Sequence, residues 1–304
     1  MTTPRDAQPT SPDLAKIKPN LRQHVERLAG VIGPRVLTRP RSIAATIGYI
    51  ENQWAGVGLL TEHQDFAAMG ETASNLIAER AGNKRPEQIV LLGAHYDTVP
   101  STPGADDNAS AVAVLIEVSR LLQDHVGART ARYVAFGCEE PPYFNLDVMG
   151  SQHHARQARR RGERITAMLC LEMVGYFSSE VGSQAVPMTI PKFLHRFFPQ
   201  RGNFLAAVGN PRSWKLAWSF RRGFKRGSRL PLLSIVLPER VREIRLSDNS
   251  SFWDQQYPAL MLTDTSFLRN PHYHQASDRP ETLDYDAMTQ VTLGVAAAMK
   301  RLLG

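Results

Sequence analysis

Short apolar runs alternate with helix-like segments through most of the chain, and this alternation constrains the fold more than any other feature. Five runs have the length and the branched or aromatic side chains of buried strands: residues 88–94, 132–138, 166–171, 231–236 and 258–263. Five segments carry apolar residues at helical spacing: residues 21–28, 43–54, 111–122, 148–161 and 287–303. The pattern predicts an α/β fold with a mostly parallel central sheet and helices on both faces, a three-layer sandwich.

The length and composition of the chain predict one main domain. A chain of 304 residues with 42% hydrophobic residues can bury a large core. We predict a flexible N-terminal tail over residues 1–18, a single domain over residues 19–304, and a less regular inserted subregion around 178–245. The N-terminal stretch lacks the apolar segment of a signal peptide. Cys138 and Cys170 lie inside apolar runs rather than in loops, which favours a reducing compartment, and we therefore predict a cytoplasmic protein.

The net charge of +7 raises the question of an anionic partner. Basic residues concentrate in residues 156–164 and 221–229, but neither stretch accompanies a known nucleic-acid-binding motif. Charge runs of this kind are usually solvated faces, so we predict no nucleic-acid partner. No run of about 18 apolar residues occurs, so we predict no membrane partner. The basic stretch 212–229 receives no assigned role.

Polar side chains follow four of the predicted strands at the point where each strand ends. These residues are His95 and Asp97, then Glu139 and Glu140, then Glu172, and finally His272, Tyr273 and His274. Ligands of open α/β sheets gather at the carboxyl ends of the strands, so we expect these four loops to converge. Histidine and carboxylate groups without thiolates suit zinc or another divalent metal, and several carboxylates favour a two-metal site.

Each of these residues also has an ordinary structural interpretation. His95 alone would be a surface histidine, Asp106 and Asp107 would cap the helix after them, and the two adjacent glutamates would form a solvated pair. Glu172 is harder to explain in this way, because a carboxylate directly after a buried run needs a partner. Because such residues occur at the ends of four predicted strands, a functional site is the better interpretation.

Several strings at these positions occur in the same order as in a known peptidase family. They are Gly93–Asp97 (GAHYD), Gly104–Ser110 (GADDNAS), Ala135–Glu140 (AFGCEE), Leu171–Tyr176 (LEMVGY) and Asn270–His274 (NPHYH), followed by Ser277–Asp278 and Thr282–Tyr285. Together they resemble the M28 family of zinc peptidases. The resemblance extends from about residue 95 to residue 285 and implies the zinc-exopeptidase fold.

The resemblance implies five metal ligands for two zinc ions, with one ion as the minimum. His95 and Glu172 would bind the first zinc, Glu140 and His274 the second, and Asp107 would bridge both. The family usually has aspartate where this chain has Glu172, and the longer arm leaves the number of ions open.

The resemblance also implies catalytic roles. Glu139 would be the general base, Asp97 would orient the imidazole of His95, and Tyr273 would donate a hydrogen bond to the tetrahedral intermediate. The Asp107–Asn108 peptide is expected to be cis.

These roles imply a zinc-dependent exopeptidase, and an aminopeptidase acting on peptides or amino-acid derivatives is the leading hypothesis. One alternative is a glutaminyl-cyclase-like acyltransferase on the same scaffold, and another is a non-catalytic binding module. Carboxypeptidase and amidohydrolase activities also stay open, as do the side-chain preference and the oligomeric state. The loop Pro141–Asp147 is longer than is usual in the family and would lie beside the substrate cleft.

Overall fold

Eight strands form one sheet in the computed structural model, which describes residues 14–190 and 192–304. The strands are β1 (Thr61–Ala68), β2 (Glu71–Arg80), β3 (Arg85–His95), β4 (Arg129–Phe136), β5 (Arg164–Glu172), β6 (Leu205–Gly209), β7 (Leu232–Val236) and β8 (Ala259–Thr263). Their order across the sheet is β1-β2-β4-β3-β5-β8-β6-β7. All five predicted strands lie in this sheet.

The centre of the sheet is parallel. Strand β3 pairs in parallel with β4 on one side and with β5 on the other, and β5 pairs in parallel with β8. The carboxyl ends of these four neighbouring strands therefore meet at one edge. Antiparallel pairs join β1 to β2, β2 to β4 and β6 to β8, towards the two sides of the sheet. The predicted mostly parallel α/β fold is confirmed.

Helices cover both faces of the sheet. They are α1 (Ile17–Val25), α2 (Pro40–Ala55), α3 (Ala111–Leu121), α4 (Gly150–Arg160), α5 (Trp214–Gly227), α6 (Asn249–Asp254) and α7 (Tyr285–Leu303). Side chains of α1, α2, α3, α5 and α7 pack into one apolar core, and side chains of α4 and α6 pack into a second core on the opposite face. The fully buried apolar run of α3 runs through the larger core.

The hairpin formed by β1 and β2 was not predicted. In β1 the buried positions alternate with exposed ones only over its second half, and its polar residues include Glu62, His63, Gln64 and Asp65. An edge strand with one solvent-exposed face lacks the continuous apolar run that is typical of a buried strand. The sequence pattern therefore predicts neither strand of this hairpin.

Two predicted boundaries need correction. The inserted subregion 178–245 is irregular only in part, because β6, α5 and β7 form a parallel strand–helix–strand unit that extends the main sheet. The predicted tail over residues 1–18 also ends too late, since buried Ile17 begins α1. Residues 1–13 of that tail lie outside the described residues.

No helix in the described part of the chain is long and apolar enough to cross a membrane. Cys138 and Cys170 are both buried and form no disulfide. The cytoplasmic location stays a prediction.

Helices α5 and α7 pack unusually close together through glycines. A Cβ atom added to Gly223 would lie 2.5 Å from the Cα atom of Ala298, and one added to Gly294 would lie 2.4 Å from the ring of Phe224. Real Cβ atoms do not approach backbone or rings this closely, so the helices can keep their separation only with glycine at these positions.

We expect Gly223→Ala to lower the free energy of unfolding by about 1–3 kcal/mol, because the added methyl group must push α5 away from α7. Gly48→Ala is the matched control: its Cβ would meet nothing within 4 Å inside α2, and alanine is the better helix former. Urea unfolding measures both variants. Equal stability of the two variants would contradict the close packing of α5 on α7.

Candidate metal centre

The four parallel strands bring their polar residues to one edge of the sheet. His95 is the last residue of β3, and Glu172 is the last residue of β5. Glu139 and Glu140 follow the end of β4, and His274 lies in the loop after β8. The predicted convergence of these loops is confirmed.

The backbone turns sharply beside several of these residues. Cys138, directly before Glu139, has φ 59°, Met173, directly after Glu172, has φ 47°, and His274 has φ 57°. Residues other than glycine rarely adopt these left-handed conformations, and such strain concentrates at functional sites where the surrounding structure enforces it.

A first cluster surrounds the Nε2 atom of His95. A carboxylate oxygen of Glu172 lies 3.3 Å from it, one of Asp107 lies 3.5 Å from it, and one of Glu139 lies 3.8 Å from it. All four side chains are buried. The longer arm of Glu172 therefore reaches the imidazole, and Ser247 holds it there by donating a hydrogen bond of 2.6 Å.

A second cluster surrounds the Nε2 atom of His274. The other carboxylate oxygen of Asp107 lies 3.2 Å from it, and an oxygen of Glu140 lies 3.3 Å from it. Asp107 thus turns one oxygen to each histidine. The two clusters share this single carboxylate.

The geometry of both clusters fits a divalent metal ion. The Nε2 atoms of His95 and His274 are buried and have no hydrogen-bond partner among the described residues, although carboxylate oxygens surround them. Zinc bound to nitrogen and oxygen at 2.0–2.2 Å in tetrahedral geometry would separate its ligands by about 3.3–3.5 Å. The closest nitrogen–oxygen distances in both clusters match this spacing. His95, Glu139 and Glu172 form one group able to hold an ion, and Asp107, Glu140 and His274 form another.

The site concentrates negative charge in a buried region, and this charge shifts the pKa values of its residues. Burial raises the pKa of Glu139 well above its usual range, with further contributions from Glu172 and Glu140, and burial together with Asp107 raises the pKa of Glu140 to about 8. Burial alone would lower the pKa of His274, but its contacts with Asp107 and Glu140 outweigh burial and raise the pKa to about 10. A bound divalent cation reverses these shifts because it favours the anionic carboxylates and the neutral imidazoles.

Tyr273 contacts the second cluster and also lines an apolar cavity. Its ring stacks on the imidazole of His274, with ring centroids 3.8 Å apart. Burial, together with the nearby charges of Asp107 and Glu140, raises the pKa of the Tyr273 hydroxyl far above its usual value. The hydroxyl therefore stays protonated and can donate a hydrogen bond.

Asp97 supports two parts of the site at once. Its carboxylate lies 3.5 Å from the Nδ1 atom of His95, while its backbone carbonyl lies 3.2 Å from the same atom. The carboxylate also accepts hydrogen bonds from the backbone N–H groups of Glu139 and Glu140, at 3.1 and 3.0 Å. Asp97 therefore fixes the glutamate loop as well as the imidazole.

The bridging carboxylate of Asp107 is held through its backbone. The backbone N–H groups of Asp106 and Asp107 donate hydrogen bonds to the two oxygens of Asp278. The side chain of Asn108 pairs with the backbone around the end of β5, at Leu171 and Met173. The Asp107–Asn108 peptide is cis, as expected.

Two site residues, Ser247 and Asp248, were not predicted. Ser247 donates to Glu172, and Asp248 is fully buried with neither carboxylate oxygen hydrogen-bonded within the described chain. Burial raises the pKa of Asp248 to about 7, and the nearby charge of His95 opposes that rise. They lie just before the short helix α6 and follow no apolar run. The polar sequence Ser247–Ser251 directly before Phe252 and Trp253 was the available signal.

An apolar cavity opens beside the first cluster. Glu172 and Tyr273 line it, together with residues of β6, β7 and β8 and of the segments 184–190, 198–199 and 241–246. Most of the lining is aliphatic or aromatic, and none of the described residues that line it is a lysine or an arginine. The loop Pro141–Asp147 contributes to a different cavity, where Pro141, Pro142 and Tyr143 lie near Asp97 and Glu140.

Comparison with known proteins finds relatives in sequence and in fold. The Escherichia coli K12 protein YfbL, described as uncharacterized, is 33% identical over 302 residues, which cover 97% of this chain and 88% of that protein. A zinc aminopeptidase structure from Bacillus subtilis superposes with a TM-score of 0.70 at 16% identity, covering 93% of this chain and 94% of that chain. A glutaminyl cyclase structure from Fimbriiglobus ruber superposes with a TM-score of 0.66 at 17% identity, covering 99% of both chains. At these identities the two structures show the shared fold alone.

The sequence model of peptidase family M28 matches residues 75–299, a range that begins in β2, ends in α7 and contains every residue of both clusters. This match covers well over half of the chain, so the protein belongs to peptidase family M28, the zinc peptidases that its motifs resemble.

Proposed function

We propose that this protein is an aminopeptidase that binds two zinc ions and releases the N-terminal residue of peptides. One observation carries the proposal: Asp107 turns one carboxylate oxygen to His95 and the other to His274. This arrangement supports two neighbouring metal sites that share a ligand.

Zinc, when bound, would supply Lewis acidity that acidifies water and polarises a carbonyl oxygen. His95, Glu172 and Asp107 are the proposed ligands of one ion, and His274, Glu140 and Asp107 those of the other. Substrate would approach from the apolar cavity, because Glu172 and Tyr273 both line it.

Glu139 is the proposed general base. It is adjacent to Glu140 in sequence, yet the two side chains diverge, with Glu139 directed to His95 and Glu140 directed to His274. Glu139 also lies farther from the histidine than the proposed ligands do, at 3.8 Å. It would take a proton from the attacking water and return it to the leaving amine. Tyr273, with its hydroxyl protonated, would donate a hydrogen bond to the oxyanion.

The charge around the site favours a free amine over a free carboxylate on the substrate. A carboxypeptidase needs a cation to pair with the C-terminal carboxylate, and none of the described residues lining the apolar cavity provides one. The nearby guanidinium of Arg35 is buried and already donates to backbone carbonyls, including those of Tyr96 and Gly104. Carboxylates beside the cavity would instead attract an α-ammonium group.

The apolar cavity supports a preference for an apolar N-terminal side chain. Its floor includes Ala206 and Val208 of β6 and Ile235 of β7, whose side chains offer no hydrogen bonds. A charged substrate side chain would lose its hydration there without gaining a partner.

A glutaminyl-cyclase activity is the second candidate, because a structure of that class shares the fold. The two clusters that share Asp107 favour a two-metal hydrolase over it.

The proposal is tested with zinc-loaded protein and a panel of p-nitroanilides. We expect leucine p-nitroanilide to be cleaved and N-acetyl-leucine p-nitroanilide to resist, because only the first offers a free amine. A peptide blocked at its N-terminus and free at its C-terminus should also resist. Cleavage of the blocked substrates would contradict the aminopeptidase proposal, and conversion of N-terminal glutamine to pyroglutamate would support the cyclase instead.

Glu139→Gln and Glu140→Gln should both lower activity, but for different reasons, although the chemical change is the same. Glu139→Gln removes the base, so kcat should fall by about two to four powers of ten while zinc content stays near that of the wild type. Glu140→Gln replaces an anionic ligand, so zinc content should fall together with activity. Metal analysis and p-nitroanilide kinetics measure both effects. Loss of zinc in Glu139→Gln and its retention in Glu140→Gln would show that the roles are exchanged.

Ala206→Leu should change substrate preference without changing the chemistry. The larger side chain fills part of the apolar cavity, so kcat/KM for phenylalanine p-nitroanilide should fall by about tenfold or more relative to alanine p-nitroanilide. The alanine substrate is the internal control, because its methyl group needs little of the cavity. An equal fall for both substrates would mean that the cavity does not hold the N-terminal side chain.

A further inference from the structure

Helix α5 exposes a face that is entirely cationic and aromatic. Its exposed residues fall on one side of the helix, and they are Trp214, Lys215, Trp218, Arg221, Arg222, Lys225 and Arg226. We call these seven residues the α5 face. Its opposite side, which includes Leu216, Phe220 and Phe224, is buried in the core against the sheet and α7.

The positive charge of the α5 face is not neutralised by the protein. None of its five cations forms an ion pair or a hydrogen bond through its side chain with any described residue. Arg301 of the neighbouring helix α7 adds a further cation, with its guanidinium 6.0 Å from the ring of Trp218. Some cations elsewhere on the surface do have acidic partners, as Lys18 has in Asp286 and Arg245 has in Glu239.

The α5 face also exposes two tryptophans beside its cations. Trp214 is 57% exposed and Trp218 is 54% exposed, although tryptophan is among the side chains that proteins bury most. They are one helical turn apart and therefore point the same way. Arg222 lies 4.6 Å from the ring centroid of Trp218, and Lys215 lies 5.5 Å from that of Trp214. Tryptophan beside lysine and arginine is the combination that proteins place at the boundary between lipid headgroups and acyl chains.

The α5 face is held firmly against the body of the protein. The close glycine contacts of α5 with α7 fix the helix against the body of the protein, so the face is presented without rearrangement. Residues of α5 line neither the apolar cavity nor the cavity beside Pro141, Pro142 and Tyr143. Proteins bind a single-stranded nucleic acid in a basic groove lined with aromatic rings, and they bind a small anion in a pocket. A broad anionic surface can bind without a groove or a pocket.

We propose that the α5 face binds the surface of a membrane that contains anionic phospholipids. The five cations would lie at the level of the lipid phosphates, and Trp214 and Trp218 would enter the headgroup region beneath them. The sequence-based expectation of a solvated face without a membrane partner is revised by this proposal, which does not depend on the activity of the metal centre.

The proposal is tested by co-sedimentation of the full chain with vesicles of phosphatidylcholine alone and of phosphatidylcholine mixed with phosphatidylserine. We expect binding to the mixed vesicles only, and weaker binding at high salt. The triple variant Arg221→Glu, Arg222→Glu and Lys225→Glu should bind the mixed vesicles about a hundredfold more weakly or worse.

A second triple variant controls for net charge. Arg41→Glu, Lys84→Glu and Arg160→Glu makes the same change in charge at exposed positions scattered over the protein. It should bind nearly as well as the wild type. An equal loss in both triple variants would show that net charge alone drives binding, and absence of binding by folded wild-type protein would overturn the proposal. Circular dichroism establishes that each variant is folded.

Tryptophan fluorescence reports the contact directly. The chain has four tryptophans, and the other two, Trp54 and Trp253, are buried. Mixed vesicles should shift the emission of the wild type to shorter wavelength, and brominated lipids should quench it. The double variant Trp214→Ser and Trp218→Ser should show neither effect. Unchanged emission of vesicle-bound wild type, or preferential binding of single-stranded RNA over vesicles, would contradict a membrane-facing role.

Discussion

The shared carboxylate of Asp107 is the interaction on which the site depends. It joins two histidines that come from distant parts of the chain, one at the end of β3 and one in the loop after β8. Around it lie the buried carboxylates of Glu139, Glu140 and Glu172, while the buried guanidinium of Arg35 donates to backbone carbonyls rather than to them. Such a concentration of charge is costly unless metal ions bind there. The parallel strands supply the positions, and metal ions, when bound, would supply the compensating positive charge.

Much of the surrounding structure serves to hold these carboxylates in place. Asp97 binds the backbone of the glutamate loop, Asp278 binds the backbone that leads to Asp107, and Ser247 binds Glu172. Hydrogen bonds of this kind orient ligands before a metal arrives, which limits the reorganisation that binding requires. The left-handed backbone conformations of Cys138, Met173 and His274 also orient the side chains at and beside these positions.

The sequence predicted the parts of the site that follow buried strands. His95, Glu139, Glu140 and Glu172 each come directly after an apolar run, and the carboxyl ends of parallel strands meet, so their convergence could be inferred. Asp107 and Tyr273 were assigned by resemblance to family motifs. Ser247 and Asp248 could not be found in this way because they follow no strand and precede a short helix. The hairpin of β1 and β2 was missed because the half-exposed β1 shows no apolar run. Strand β6 was missed because its sequence, LAAVG, consists mostly of small residues and contains a single β-branched one.

The central claim is that two metal ions share Asp107. A crystal structure with anomalous scattering recorded at the zinc edge tests it most directly. The account predicts two zinc peaks about 3.5–4 Å apart, one beside His95 and Glu172 and the other beside His274 and Glu140, with Asp107 between them. A single peak in this region, or zinc bound elsewhere with both histidines free, would contradict the account.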